Sequence, residues 1–189
     1  MNYHEMNEKL KANLTPERYE HSKGVEKVAV RLAEKWGADV EKARIAGLLH
    51  DLAKNMDKEK SRKLISDITG DSGILEVPVL WHAPIGAHLL ESEYGITDSE
   101  IYDAVYYHAT GKKNMSLLTK IIYVADLIEP GRDTYLEWAP ECRLIAENDL
   151  DKAVLVVTDK TIESLIRRRM KINPIVVDIH NEALEKVDL

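Results

Sequence analysis

Cysteine occurs once in the 189 residues, at Cys142. No intrachain disulfide can form, and no cysteine pair exists to build a zinc finger. No signal peptide is evident either, so a reducing cytoplasm is the expected compartment. A basic excess is also missing: 26 Lys and Arg stand against 33 Asp and Glu, a net charge of −7. Nucleic-acid binding is therefore not expected as the main role. No apolar run is long enough to span a bilayer, so no membrane partner is expected. Strand alternation and Asn-Gly hairpin signals are lacking, which argues against a β fold. Several catalytic signatures are absent as well. There is no HExxH for a zincin-type zinc helix and no Glu-x-x-His for a di-iron bundle. There is no GxxxxGK[ST], so Gly111-Lys112 is not part of a phosphate-binding P-loop.

What is present is helical periodicity along nearly the whole chain. The 44% hydrophobic and 31% charged residues suit a globular protein, and the length suits one domain. Thr15-Pro16 reads as an N-cap and first helical residue, and Gly37 as the stop of a helix with His21, Val25, Val28, Leu32 and Trp36 on one stripe. Asp39 caps a helix whose stretch Ala43 to Ala53 is apolar nearly all round, hence central. Asp57 starts a helix that turns Leu64, Ile65 and Ile68 inward. A GDSG loop at 70–73 follows, and Pro84 opens a short helix. Thr97 and Glu100 form a capping box for the helix carrying Ile101, Ala104, Val105 and His108. Leu117 to Ile128 is helical up to Pro130-Gly131. Asp149 caps a long helix to about Lys171, and a last helix after Asn173-Pro174 carries Val176, Ile179, Ala183 and Val187. The expected fold is all-α, one multi-helix domain over 1–189 with the helices of about 149–189 packed on the rest.

Five residues do not suit the apolar stripes they sit on: His21, His50, Asp51, His108 and Asp126. An unpaired buried carboxylate costs several kcal/mol or takes up a proton. Any one of the five could be a satisfied core residue. Together they ask for a shared partner, and a divalent metal ion is one that both imidazole and carboxylate ligate well.

The constellation of His21, the doublet His50-Asp51 and a distant Asp126 resembles the HD-domain metal-dependent phosphohydrolases. The closer resemblance is to the YqeK branch, whose strings RYEHS (18–22), GLLHDLAK (47–54), WHAPIGA (81–87), YYHATG (106–111) and ADLIEPGR (125–132) all occur here in order. The resemblance implies an HD-domain fold around a buried His/Asp centre and symmetrical bis(5′-nucleosyl)-tetraphosphatase activity, cutting diadenosine tetraphosphate into two ADP. It implies iron, as one or two ions. His21, His50, Asp51 and Asp126 would form a first metal site and His82 and His108 a second, with Asp51 bridging. A hydroxide between two ions needs no protein nucleophile, and Cys142 lies away from every ligand string. The resemblance leaves the oligomeric state open, a homodimer included.

A tetraphosphate needs cations beyond the metals. Arg18 lies one helical turn before His21, Lys54 one turn after His50, and Arg132 across the Pro-Gly turn from Asp126. Asp51, Lys54 and Arg132 are the expected catalytic residues. His82 and His108 are expected to touch substrate as well as metal, and Thr110 and Gly111 offer a hydroxyl and an N–H to phosphate. In the basic segment Arg167 to Lys171, Arg169 is the expected phosphate contact, and Met170, Ile172 and Pro174 could wall an adenine. Cations at a helix C-terminus also suit the macrodipole, and Met or Ile at helical spacing is often core. His4, His88 and His180 match no ligand string, and Trp81 is the tryptophan best placed to line the site. Two alternatives stay open: another HD-domain nucleotide phosphohydrolase, and a nucleotide-sensing module without turnover. The absence of a Gly-Tyr-Pro tripeptide speaks against the cyclic-dinucleotide branch.

Overall fold

A computed structural model describes residues 1–187, which form eleven α-helices and no strand among the described residues. They are α1 (Tyr3–Asn13), α2 (Pro16–Trp36), α3 (Val40–Leu49), α4 (Lys58–Ile68), α5 (Ser72–Leu75), α6 (His82–Tyr94), α7 (Ser99–Tyr107), α8 (Leu117–Ile128), α9 (Ala139–Asn148), α10 (Leu150–Arg167) and α11 (Pro174–Leu184). Two 3-10 turns, Pro78–Leu80 and Pro130–Arg132, precede α6 and follow α8.

The centre is the packing of α2, α3, α7 and α8 on one another. Helix α8 supplies Ile121, Ile122, Val124 and Ile128, all fully buried; truncating one such isoleucine to Ala costs about 2–5 kcal/mol. Helices α2 and α3 approach closely at Gly47, where a Cβ would lie 2.9 Å from the Glu26 Cα. That contact brings the first turns of α2 and the end of α3 together, and with them His21 and His50. Helix α6 lies against α7 and α4, while α10 lies against α8, α9 and α11.

Several helices begin and end where side-chain chemistry places them. Thr15 and Asp39 cap α2 and α3, α8 spans Leu117–Ile128 as the sequence predicts, and Gly37 closes α2. Other ends differ. Helix α3 stops at Leu49, so His50 and Asp51 sit at its C-terminus and 50–55 turn away. Asp98, not Thr97, caps α7, accepting from the N–H groups of Glu100 and Ile101. Helix α6 starts at His82, two residues before Pro84, and the 70–73 segment folds partly into α5 under an Asp71 cap. Helix α10 ends at Arg167, not Lys171. The N–H groups of Arg169 and Met170 turn back to the carbonyls of Ile166 and Leu165 at 3.0 and 2.9 Å, with Arg169 left-handed at φ 54°. This is a Schellman closure without the usual glycine. Val187 lies beyond α11. Helices α1 and α9 were not expected. A capping box between Asn2 and Glu5 starts α1, whose Met6 and Leu10 are buried, and α9 buries Cys142 and Ala146.

Candidate metal centre

Three helix ends and two helix interiors converge on one point. His21 comes from the second turn of α2, His50 and Asp51 from the end of α3, His82 from the start of α6, His108 from the end of α7 and Asp126 from α8. His50, Asp51, His82 and His108 are all buried.

The imidazoles are oriented by their outer nitrogens. His50, His82 and His108 each donate Nδ1–H to the carbonyl three residues earlier, Gly47 at 2.8 Å, Val79 at 2.8 Å and Val105 at 2.7 Å. His21 turns Nδ1 to the Glu129 carboxylate at 3.0 Å. Each ring therefore has its proton outside and its Nε2 lone pair pointing in. Inside, Nε2 of His82 lies 3.1 Å from Nε2 of His108, and Nε2 of His50 lies 3.3 Å from that of His21. Lone pairs that close repel unless a cation lies between them.

The carboxylates complete two donor sets. Asp126 Oδ1 is 2.9 Å from His21 Nε2 and 3.7 Å from His50 Nε2. Asp51 faces both sides: Oδ2 lies 3.5 Å from His50 Nε2, while Oδ1 lies 3.1 Å from His82 Nε2 and 3.6 Å from His108 Nε2. Oδ1 is buried and accepts no well-aligned hydrogen bond. His21, His50 and Asp126 offer donor atoms within 4.8 Å of one another, as do His50, Asp51 and His108. An orphaned buried carboxylate oxygen among inward lone pairs, with only nitrogen and oxygen donors, fits divalent metal ions.

The electrostatics agree. Burial pushes His82 down to about 4 and lowers His50, keeping both neutral as ligation requires. Burial alone would raise the Asp51 carboxyl, but the surrounding histidines hold it well below the ordinary range. For Asp126, Arg132 and His21 outweigh burial in the same direction. His21 moves the other way: burial opposes its charge, yet Asp126 and Glu129 on its two nitrogens raise its pKa.

Three of the expected cations reach this cluster. Arg18 Nη1 lies 2.8 Å from Asp51 Oδ2, Lys54 Nζ 3.1 Å from His82 Nε2, and Arg132 Nη2 2.6 Å from Asp126 Oδ1. Together with His21 they line a cavity of about 550 Å³ open to solvent. Lys54 gets there although α3 has already ended, by the turn after Asp51.

Other expected donors are not presented to that cavity. The buried Thr110 hydroxyl donates to Gly111 O at 3.0 Å and the Gly111 N–H to Tyr107 O at 2.7 Å, so neither is free for a phosphate. Arg169, Met170, Ile172 and Pro174 lie elsewhere. Their segment packs Asn173 against Gly73 and pairs Lys171 with Glu76 at 2.7 Å. The carbonyls of Ile74 and Leu75 in turn accept from Trp81 Nε1, next to His82. The segment thus adjoins the His82 side of the cluster. Trp81 is tied to that turn, and His88 is exposed. Cys142 is a core thiol that burial pushes up to about 12.

Sequence reasoning missed Glu129. It is 4% exposed, accepts from His21 Nδ1 and from the Gly131 N–H at 2.7 Å, and fits only because Gly24 has no Cβ to meet its carboxylate. The available signal was its place three residues after Asp126, directly before the Pro130-Gly131 turn that ends α8. Tyr135, whose hydroxyl accepts from Arg132 Nη1 at 2.8 Å, was missed too, because it lies outside any helix.

Comparison with known proteins places this geometry. The HD domain family model matches residues 18–131. Over 166 residues the chain is 41% identical to the symmetrical bis(5′-nucleosyl)-tetraphosphatase of Bacillus subtilis, covering 87% of this chain and 88% of that protein. The Staphylococcus aureus protein of the same name is 33% identical, covering 96% and 94%. A crystal structure from Clostridium acetobutylicum, described as a predicted HD superfamily hydrolase involved in NAD metabolism, superposes with a TM-score of 0.93 at 37% identity over 99% of both chains. The chain belongs to the HD-domain family, in the group of relatives named as symmetrical bis(5′-nucleosyl)-tetraphosphatases.

Proposed function

We propose that this protein hydrolyses diadenosine tetraphosphate symmetrically into two ADP in the cytoplasm, with iron as the metal. The observation that carries the reading is the double donor set sharing Asp51, with one carboxylate oxygen toward His50 and the other toward His82 and His108. His21, His50 and Asp126 would hold one ion, His82 and His108 the other, and Asp51 would touch both. Bound divalent ions in such a pair acidify a water and neutralise charge on the attacked phosphoryl group.

The chain's own groups supply the rest. Arg18, Lys54 and Arg132 rim the cavity over the donors and would take the non-bridging phosphate oxygens on the His21 side. On the His82 side, Arg169 offers charge and Met170, Ile172 and Pro174 an apolar wall for one adenine. Thr110 and Gly111 hold the turn after His108, through bonds that are already satisfied. Cations on both sides of the donors would hold the middle of the tetraphosphate over the metals, and a central cut would yield two ADP. The test is incubation of iron-reconstituted protein with diadenosine tetraphosphate. ADP as the sole nucleotide product supports the reading. AMP plus ATP, or no turnover at full metal content, overturns it.

A further inference from the structure

Beside the cavity over the metal donors lies a second one of about 610 Å³, and the two share Tyr135. Tyr135 is 59% exposed, and Arg132 fixes its hydroxyl at 2.8 Å. Arg132 is itself anchored on Asp126, so the ring stands at the lip between the two cavities in register with the metal donors. Trp138 and Leu127 line the second cavity. Arg167 and Arg168 line it too, exposed and without an ion-pair partner among the described residues, alongside Glu137 and the Lys160–Glu163 ion pair. Cations at the end of α10 suit its macrodipole. That does not account for an aromatic pair sharing a cavity with them. The volume falls within the range of about 300–1,000 Å³ typical of small-molecule sites, and aromatic walls with a few charged groups are their usual lining.

A symmetrical dinucleotide has two nucleosides. The segment 169–174 adjoins the His82 side of the donors, whereas the second cavity opens from the His21–Asp126 side. We propose that the second cavity takes the other nucleoside, its base stacked on Tyr135 and bounded by Trp138, with Arg167 and Arg168 receiving the phosphate next to it. This rests on the dinucleoside tetraphosphate reading above and assigns that substrate a place on each side of the metals.

The experiment is titration of the metal-free, and therefore non-hydrolysing, full chain with diadenosine tetraphosphate, following the Trp138 indole N–H by NMR. Trp138→Phe assigns the signal. The indole signal should shift, and Tyr135→Ala should weaken the binding about tenfold, as expected when one base loses its aromatic platform. In the metal-loaded enzyme the same variant should raise KM for diadenosine tetraphosphate about tenfold. It should leave KM for adenosine 5′-tetraphosphate nearly unchanged, because a single nucleoside can use the other side. An unmoved Trp138 signal, or a Tyr135→Ala variant that titrates like wild type, overturns the proposal. A shifting Trp138 in a protein that does not turn the dinucleotide over would overturn the functional reading and leave the subsite standing.

Discussion

Asp51 is the residue on which both donor sets depend, since its two oxygens face different histidines and one of them, Oδ1, accepts no hydrogen bond. Asp51→Ala is expected to remove bound metal and activity together; full metal content by elemental analysis in that variant would take Asp51 out of the centre. Glu129 acts one layer out. It holds the proton on His21 Nδ1 and so keeps the Nε2 lone pair inward. Partners of this kind are worth about 10–100-fold in metal affinity. Glu129→Ala should lose that much, read by metal titration of the purified protein, and Glu129→Gln, which can still accept from Nδ1, should recover part of it. Equal affinities for wild type and Glu129→Ala would reduce Glu129 to a packing role. Arg132 touches Asp126 and the cavity at once. Arg132→Ala should lower kcat/KM by about 2–4 kcal/mol, the cost of losing one donor to developing charge, with metal content unchanged. These residue pairings were partly readable in advance. Histidines and aspartates on apolar stripes were conspicuous, whereas Glu129 looked like an ordinary charged residue before a Pro-Gly turn. Only its contact with His21, 108 residues away in sequence, gives it a role.

At the scale of elements, caps decide where the functional groups stand. His50, Asp51 and His108 are not in helix interiors but at C-termini, where the chain turns and the side chains are freed from the helical stripe. The end of α10 is the least regular. Arg169 adopts a left-handed backbone that non-glycine residues reach at a cost of about 1–2 kcal/mol. Arg169→Gly should therefore raise the unfolding free energy by about 0.5–1 kcal/mol, part of the relief being offset by the greater freedom of glycine in the unfolded chain. A denaturant midpoint at or below that of wild type would show that the Arg169 side chain contributes more than its backbone costs. Continuous helical periodicity hid this break, because no glycine or proline marks positions 168–170.

For the whole molecule, assembling the centre without metal stores a pH dependence. His50 and His82 are lowered in the fold, His82 to about 4, from an ordinary value of about 6.5. Between those values the unfolded chain binds protons that the folded chain does not, so stability falls as pH drops through that window. His21 works in the opposite sense: its raised pKa adds stability on the acid side that is lost as pH rises through it. Asp51 and Asp126, both lowered, add stability above about 3.9 that disappears only as pH falls further. With two histidines against one, the thermal midpoint of the metal-free protein should decline from pH 7 to pH 4.5. The loaded protein should be more stable at pH 7 and decline more steeply, because protons compete with metal for Nε2. A flat or rising midpoint in the metal-free protein would contradict the buried neutral histidines.

The chain by itself determined an all-α domain, most helix starts and the metal-binding residue types, because caps and 3.6-residue periodicity are local and an ionisable group on an apolar stripe stands out wherever the chain goes. Only the tertiary structure decided which donors meet. The approach of α2 and α3 at Gly47 and the shared lip at Tyr135 follow from packing between segments distant in sequence. The same packing ties the segment 169–174 to the turn before His82. No local pattern encodes contacts of that range, because their energy comes from surfaces that exist only once the helices have assembled.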